Sequence, residues 1–381
     1  MSEERRGPLT GIRAIEIAGA GPGPFASMML ADMGADVLRI DRTSGALPVG
    51  AGTVLDRGRR SAGIDLKNPA GVETLLRLIE GADVLLEGFR PGVAERLGIG
   101  PDVCLERNPR LVYGRMTGWG QDGPLAKAAG HDINYIAIAG VLGAIGPKDG
   151  PPSVPLNLIG DFGGGGMLLA FGVVCALLER NTSDRGQVVD AAMVDGAPLL
   201  AVVSHAYAGF GWVEERESNM LDGGAHFYNV YECADGQYVA VGAIEPQFYA
   251  ALIAGLGLSG EDLPEQMDVA SWPEMRKRFA EIFRTRTREE WSTALEGTDA
   301  LVSPVLTWTE AKNHPHNVAR GTYVTPADGI PQPGPAPRLS RTPGAIARPA
   351  PSAGQHTDEA LADWGFDAAE IAALKQQGAI A

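Results

Sequence analysis

Two side chains, an imidazole and a carboxyl group, are the strongest candidates for proton-transfer chemistry. His131 lies in the segment Gly130-His-Asp-Ile-Asn-Tyr135, and Asp161 precedes a run of glycines and a long apolar segment. Histidine titrates near neutral pH unperturbed, and a carboxyl group beside apolar residues loses solvation, which raises its pKa. Both can therefore act as general bases near neutral pH. From residue types alone the alternatives stay open, because a buried histidine is usually a hydrogen-bonded core residue and such an aspartate is usually a helix cap.

Two glycine-containing patterns resemble known motifs but lack their context. Gly19-Ala-Gly-Pro-Gly23 follows a predicted strand, as in dinucleotide-binding folds, and Asp41 follows about twenty residues later. The third glycine has the wrong spacing, and prolines at 22 and 24 remove amide donors that a pyrophosphate needs. We interpret the segment as a tight turn that enters a helix. Asp161-Phe-Gly163 matches a kinase tripeptide, but the other kinase motifs are missing from the sequence.

Basic residues are concentrated between positions 39 and 67, where six Lys and Arg residues accompany three acidic ones. The six are Arg39, Arg42, Arg57, Arg59, Arg60 and Lys67, and Arg90 and Arg96 follow. In a chain with a net charge of −15, this local surplus indicates either an anion-binding site or an ordinary solvated surface.

The composition of the 381 residues excludes several classes of protein. With 45% hydrophobic and 21% charged residues the chain is globular, and its acidity disfavours nucleic-acid and anionic-membrane partners. Three widely spaced cysteines predict neither a disulfide framework nor a cysteine-rich metal site, and they favour a reducing compartment. The longest strongly apolar run covers 167–178, shorter than the ~18 residues a membrane helix needs. We expect a soluble, cytoplasmic protein without a secretory or peroxisomal signal.

The elements that must position these residues follow from hydrophobic periodicity. Strands are predicted at 12–17, 36–40, 83–86, 111–116 and 186–193, with helices at 25–33 and 71–80 and an apolar helix opening at the glycines after Asp161. Alternation of this kind predicts an α/β fold whose large domain has a parallel, Rossmann-like sheet with right-handed crossovers.

The second half of the chain predicts a smaller α+β domain. A hairpin is expected at 229–233 and 237–241 around Asp235-Gly236, followed by helices at 247–256, 272–285 and 288–295. The Pro-rich stretch 325–351 is predicted to lack regular structure, and the helices after it to be capped by Thr357 and by Asp367 with Glu370. The predicted boundaries are a large domain at 1–191, a linker at 192–225, a small domain at 226–309, a linker at 310–333, and a return to the large domain at 334–381.

Over nearly its whole length the sequence resembles the α-methylacyl-CoA racemases, a family of the class III CoA-transferase superfamily (CaiB/BaiF type). The early glycine motif and the terminal Gln-His-Thr motif are common to the superfamily, whereas Gly-His-Asp-Ile-Asn-Tyr and Gly-Ala-Ile-Glu-Pro-Gln are typical of the racemases. The matching segments are Ala18–Pro24, Ile64–Lys67, Phe89–Gly92, Thr117–Gly120, Gly130–Tyr135, Pro155–Leu158, Gly160–Gly165, Gln187–Asp190, Asn219–Ala225, Val241–Phe248, Ser303–Leu306 and Gly354–Thr357.

The resemblance implies an isomerase that interconverts (R)- and (S)-2-methylacyl-CoA thioesters through an enolate. By family analogy His131 takes the C2 proton of the S isomer, Asp161 that of the R isomer, and Glu245 orients the histidine. The glycine-rich helix start at Gly163 and Gly164 is expected to stabilise the enolate oxygen. The family further implies an interlocked homodimer, with no metal and no cofactor besides the CoA of the substrate. The residues expected to bind CoA are Arg42, Ile64, Asp65, Leu66, Lys67, Gly88, Phe89, Arg90, Arg96, Gly130, Asp132, Ile133, Asn134 and Tyr135.

Three alternatives remain at this point, of which a nicotinamide-dependent dehydrogenase is the least favoured. The first is a true class III CoA-transferase, in which Asp161 attacks the thioester carbonyl as a nucleophile and His131 is not needed. The second is a protein that binds acyl-CoA without catalysis.

Overall fold

The structure is a computed structural model, and it describes residues 6–44 and 52–381. Its strands are β1 (Arg13–Ile17), β2 (Asp36–Asp41), β3 (Arg60–Gly63), β4 (Val84–Glu87), β5 (Val112–Thr117), β6 (Val188–Ala192), β7 (Tyr228–Glu232), β8 (Tyr238–Gly242), β9 (Val302–Pro304), β10 (Tyr323–Val324) and β11 (Gln332–Pro333). Its helices are α1 (Pro22–Asp32), α2 (Pro69–Glu80), α3 (Val93–Arg96), α4 (Pro101–Arg107), α5 (Asp132–Ile138), α6 (Leu168–Ser183), α7 (Met193–Leu200), α8 (Val202–Tyr207), α9 (Pro246–Gly255), α10 (Trp272–Phe283), α11 (Arg288–Leu295), α12 (Trp308–Asn313), α13 (Pro315–Arg320), α14 (Thr357–Asp363) and α15 (Ala368–Gln376). A π-helix (Leu158–Met167) runs directly into α6.

The chain divides into two units. The larger one consists of residues 1–139, 156–201 and 320–381, and the smaller one of residues 140–155 and 202–319. Two segments far apart in sequence thus join the first part of the chain in the larger unit.

The larger unit contains a six-stranded parallel sheet in the order β3-β2-β1-β4-β5-β6. Strands β1 and β4 are almost entirely buried because helices cover both faces of the sheet. One face packs against α2, α4 and the C-terminal helices, with Leu38, Leu75 and Leu361 in that core. The other packs against α1 and α6, with Leu30 and Leu169. The predicted α/β class and parallel sheet are confirmed.

Strand β3 was not predicted, because Arg60-Ser-Ala-Gly63 contains no apolar run. It pairs with β2 on one side, and the end of the chain covers its other edge. Two backbone hydrogen bonds hold the end of the chain there: Asp65 N–H donates to Ala379 O (2.9 Å), and Ala381 N–H donates to Gly63 O (3.1 Å). Contacts with β2 and with the C-terminal residues therefore determine that 60–63 forms a strand, whereas its own hydrophobicity does not.

The prediction that 325–351 lacks regular structure is wrong at one point. Gln332 and Pro333 form β11, which pairs antiparallel with β10. Arg57 fixes this segment, because its guanidinium donates to Gln332 Oε1 (2.8 Å) and Pro333 O (2.6 Å) while it also pairs with Asp32 (2.5 Å). These contacts are tertiary and leave no trace in local periodicity.

The smaller unit has the antiparallel sheet β7-β8-β9, and β7 and β8 form the predicted hairpin around Asp235-Gly236. Phe279, Phe283 and Trp291 from α10 and α11 pack on that sheet in a separate hydrophobic core. The predicted α+β character of this part is confirmed.

Candidate active site

The order of the parallel strands places a crevice at one point of the larger sheet. Strand order reverses between β1 and β4, so the loops that follow these strands diverge and leave an opening at their carboxyl ends. A cavity of about 530 Å³ lies there. Its lining residues follow the ends of β1, β4, β5 and β6, and they include both His131 and Asp161. The two candidate bases therefore share one cavity.

His131 sits immediately before α5 with an extended backbone (φ −129°, ψ 173°) and is exposed. Its backbone N–H donates to Asn134 Oδ1 (3.0 Å), and the Asn134 N–H donates to His131 O (2.8 Å). Tyr135 donates from its hydroxyl to Gly130 O and packs edge-on against Trp119, with ring centroids 4.7 Å apart. The backbone of the histidine is thus fixed from both sides, while its side chain faces the cavity.

Asp161 lies in the first turns of the π-helix and is half-buried. Burial is the largest influence on its carboxyl group and raises its pKa above the usual range of an aspartate, and the negative charge of Asp132 acts in the same direction. A hydrogen bond from Asn157 Nδ2 to Asp161 Oδ2 (3.0 Å) and the charge of His131 oppose this rise. The outcome is a carboxyl group that is a stronger base than an exposed one.

The glycine loop after β1 lies against the carboxyl group of Asp161. Gly21 has φ +67°, a conformation that glycine adopts without strain, and it ends the turn before Pro22 begins α1. A Cβ atom at Gly21 would lie 3.2 Å from Asp161 Oδ2. Phe25 of α1 also packs edge-on against Phe162, at 4.8 Å between centroids. The loop that looks like a dinucleotide motif is therefore shaped to admit the carboxyl group of Asp161.

Gly163 and Gly164 do not occupy the place expected of enolate-stabilising donors. The helix begins at Leu158, five residues before Gly163, so both glycines lie inside the π-helix, where backbone amides bond to carbonyls of the same helix. They do not line the cavity. Instead they pack against α7, where a Cβ atom at Gly164 would lie 2.7 Å from Ala197 N. The described contacts of both glycines are therefore packing contacts with α7.

The basic residues fall into two groups. The first is buried and paired with carboxylates: Arg39 with Asp41 and Asp56, Arg57 with Asp32, Arg59 with Glu16, and Arg60 with Asp36 and Asp363. The second group is exposed and forms no ion pair within the described part of the chain; it consists of Arg42, Lys67, Arg90 and Arg96. The residues available for an anion are thus a subset of the cluster seen in the sequence.

A second cavity of about 560 Å³ lies at the carboxyl ends of β1, β2 and β3. Six of the residues expected to bind CoA line it: Arg42, Ile64, Asp65, Leu66, Lys67 and Phe89. Phe89 lines both cavities, as does Ile17, and Gly88, Arg90, Gly130, Asn134 and Tyr135 line the first. Most of the expected CoA residues are therefore brought to two neighbouring cavities.

Four predicted residues lie elsewhere. Arg96 is exposed on α3, and neither it nor Ile133 lines either cavity. The carboxylate of Asp132 is buried, and its Oδ2 accepts the backbone N–H of Asp161 at 2.7 Å. Glu245 is exposed before α9 in the smaller unit. Its expected effect on the histidine stays a prediction.

Asn157 and Glu87 are two residues of the site that were not predicted from the sequence. Asn157 lies four residues before Asp161, one helical turn away, and this spacing is the signal that could have identified it. Glu87 is buried at the end of β4, with a pKa raised by burial; it accepts hydrogen bonds from Phe89 N (2.6 Å) and Arg115 Nε (3.0 Å). It fixes the loop that lines both cavities, which no local pattern indicates.

Comparisons with known proteins find relatives over almost the whole chain. The model of the family described as CoA-transferase family III matches residues 9–357. An alpha-methylacyl-CoA racemase of Mus musculus is 50% identical over 368 residues, 96% of each protein, and one of Homo sapiens is 47% identical over 365 residues, 95% of each. A solved CaiB/BaiF family protein from Brucella suis has a TM-score of 0.79 and covers 94% of this chain and 100% of its own. Its identity is 24%, so this likeness concerns the fold.

Proposed function

The chain belongs to CoA-transferase family III, and from this premise we propose that it is a racemase acting at C2 of 2-methyl-branched acyl-CoA thioesters. The observation that carries the proposal is that His131 and Asp161 line a single cavity at the point where strand order reverses. Racemisation needs two bases, because the proton must leave one face of C2 and return to the other.

The chemistry assigns a role to each base. One base removes the C2 proton, and the electrons of the C2–H bond move towards the thioester carbonyl to give an enolate. The other base, in its protonated form, then donates a proton to the opposite face of C2. Asp161 must be ionised to remove the proton of the R isomer, and its raised pKa makes it a better base for this weak carbon acid. The family resemblance assigns the R isomer to Asp161 and the S isomer to His131. Each group acts as the acid in the reverse direction.

Charge and shape support a CoA thioester as the ligand. Arg42 and Lys67, which pair with no carboxylate among the described residues, line the second cavity and suit the phosphates of the CoA nucleotide. Arg90 lines the first cavity beside the two bases. Because the cavities share Ile17 and Phe89, a single extended molecule accounts for both. The reaction requires no cofactor besides the CoA that the substrate carries.

A homodimer is the assembly that we propose, and the family resemblance favours an interlocked one. An apolar face of α6 supports association, since Phe171 and Leu178 are 66% and 71% exposed and Val174 lies between them. Glu245, by the same resemblance, is assigned the orientation of the histidine.

Deuterium exchange tests the proposal. The protein is incubated in deuterated buffer with (R)- or (S)-2-methylacyl-CoA and no acceptor acid, and C2 labelling and racemisation are followed by NMR. We expect labelling from both isomers. His131→Ala and Asp161→Asn should each reduce racemisation by about 100-fold or more, because each removes one general base. His316→Ala, a change at an exposed histidine of α13, and Asp149→Asn, at an exposed loop, serve as matched controls.

The same assay separates the alternatives. The family as a whole is named for CoA transfer, and in that reaction Asp161 would attack the thioester carbonyl and expel CoA. Transfer that depends on an acceptor acid, without C2 labelling, would establish the transferase. Binding of CoA thioesters without labelling or transfer would leave a binding protein.

A further inference from the structure

We infer that Asp132 is a positioning residue that holds the two proton-transfer groups in one arrangement. The inference rests on the proposed function, because it assigns Asp132 a role towards His131 and Asp161. Asp132 directly follows the histidine as the first residue of α5. Its Oδ2 accepts the backbone N–H of Asp161 at 2.7 Å. One side chain thus ties the segment that carries the imidazole to the helix that carries the carboxyl group.

The local packing is built around this contact. The side chain of Asp132 is only 5% exposed, so it does not exchange its partner for water. A Cβ atom at Gly160 would lie 2.6 Å from Asp132 Oδ2, so the approach requires a glycine there. The residues before Asp161 are therefore shaped to receive the carboxylate of Asp132, which the cavity lining does not include.

The charge of Asp132 acts on Asp161 as well. Its Oδ1 has no hydrogen-bond partner, and no cation pairs with it within the described ranges 6–44 and 52–381. Three ionisable groups face Asp161 or interact with it: His131 and Asp132 at the start of α5, and Tyr135 one turn later. Asp132 is the one that raises the pKa of Asp161, in addition to burial. Position and charge thus act together.

Three substitutions separate the effect of the position of Asp132 from the effect of its charge. Asp132→Asn keeps an oxygen that can accept the Asp161 N–H but removes the negative charge. Asp132→Ala removes both the acceptor and the charge. Gly160→Ala leaves Asp132 unchanged but pushes its carboxylate away from the amide.

The direct test is a carboxyl ¹³C NMR titration of the aspartate-labelled full chain without ligand, in which the Asp161 signal is identified by its loss in Asp161→Asn. In Asp132→Asn we expect the titration midpoint of Asp161 to move to lower pH, and Asp149→Asn to leave it in place. This readout needs no turnover, so it can succeed or fail independently of the racemase proposal. An unchanged midpoint in Asp132→Asn would overturn the effect assigned to the charge of Asp132.

Kinetics test the positioning effect. In Asp132→Asn the acid limb of the racemisation profile should move to lower pH with most of the maximal rate retained. Asp132→Ala and Gly160→Ala should lose about 10- to 100-fold at every pH, because a displaced base is a poor one. Thermal melting and CoA binding are measured for each variant. If Asp132→Ala does not fold, Gly160→Ala carries this test. A Gly160→Ala protein that folds and retains the wild-type rate would exclude positioning by Asp132.

Discussion

Asp161 shows how the surroundings of a single side chain alter its chemistry. The same residue type on the surface would be a weak base at neutral pH. Here the apolar surroundings and the neighbouring Asp132 disfavour the charged form, whereas Asn157 and His131 stabilise it. The group is therefore suited to remove a proton from carbon, and this property costs folding stability.

The stability cost has a definite sign. The pKa of Asp161 is higher in the folded than in the unfolded protein. At a pH above the folded-state pKa, the ionised carboxylate therefore destabilises the fold. At a pH below the ordinary aspartate range the group is protonated in both states, and the cost disappears. We expect Asp161→Asn, which can still accept the Asn157 hydrogen bond, to melt at a higher temperature than the wild type near pH 8 while losing exchange.

Thermal melting between about pH 8 and pH 5 measures this effect. The difference in melting temperature should shrink as the pH falls, and Asp149→Asn, at an exposed loop position, should show no such difference. A variant that melts below the wild type at pH 8 would contradict the assignment.

Strand β3 depends on contacts from the far end of the chain. The Thr357 hydroxyl accepts the N–H of Gly63 (3.0 Å) and lies 2.9 Å from Gly354 O and 2.6 Å from Ala381 O. The sequence-based prediction that Thr357 caps the helix after it is therefore wrong, because α14 starts at Thr357 itself. Its hydroxyl instead bridges β3 and the C-terminal residue. Because Ile64 to Lys67 line the second cavity, the bridge also supports the proposed nucleotide site.

Replacing Thr357 by valine tests the bridge. The change keeps the shape but leaves the buried Gly63 N–H without its acceptor, so we expect a loss of about 1–3 kcal/mol in the free energy of unfolding. CoA binding should weaken too. Urea unfolding and calorimetric titration with CoA measure the two effects. Thr357→Ser keeps the hydroxyl and should lose less than about 1 kcal/mol. Equal losses in both variants would show that the methyl group, not the hydrogen bonds, matters.

At the scale of the whole molecule, the helical segment 158–183 stands out by its length and apolar composition. By length and composition alone it could cross a membrane, and 44% of its most apolar window is buried inside the chain. That is weak support for a membrane span, because the core helix of a soluble protein meets the same criterion. Phe171, Val174 and Leu178 recur on one face of α6 at helical spacing. A second copy of the chain covers this face in our proposal.

Association is predicted to depend on that face. The wild type should have twice the chain mass of 39.9 kDa in light scattering after gel filtration. Phe171→Glu with Leu178→Glu should yield a monomer, because burying a carboxylate in an apolar interface costs several kcal/mol. Val103→Glu on α4, a helix that packs on the opposite face of the sheet, is the matched control. The proposed dimer would be contradicted if the wild type were a monomer, or if it stayed in solution only with detergent or lipid.

Local pattern was sufficient for much of the fold. The period of two in the strands and of 3.6 in the helices predicted β1, β2, β4, β5 and the β7–β8 hairpin to within one or two residues. The capping box of Asp367 with Glu370 was visible in the same way. These features depend on neighbouring residues, so the chain encodes them locally. His131 and Asp161 were also found from their residue types, and family resemblance gave them their roles.

Tertiary structure alone decided which of these residues act together. The basic residues at 39–67 looked alike in the sequence, yet Arg59 is buried against Glu16 whereas Arg42 is exposed beside a cavity. The order of the strands determines which of these side chains meet carboxylates. Gly163 and Gly164 belong to helix packing because the helix starts at Leu158. Asp132 contacts Asp161 across 29 positions of the chain. Contacts between distant segments depend on how the sheet brings the loops at its carboxyl ends together, and no sequence period carries that information.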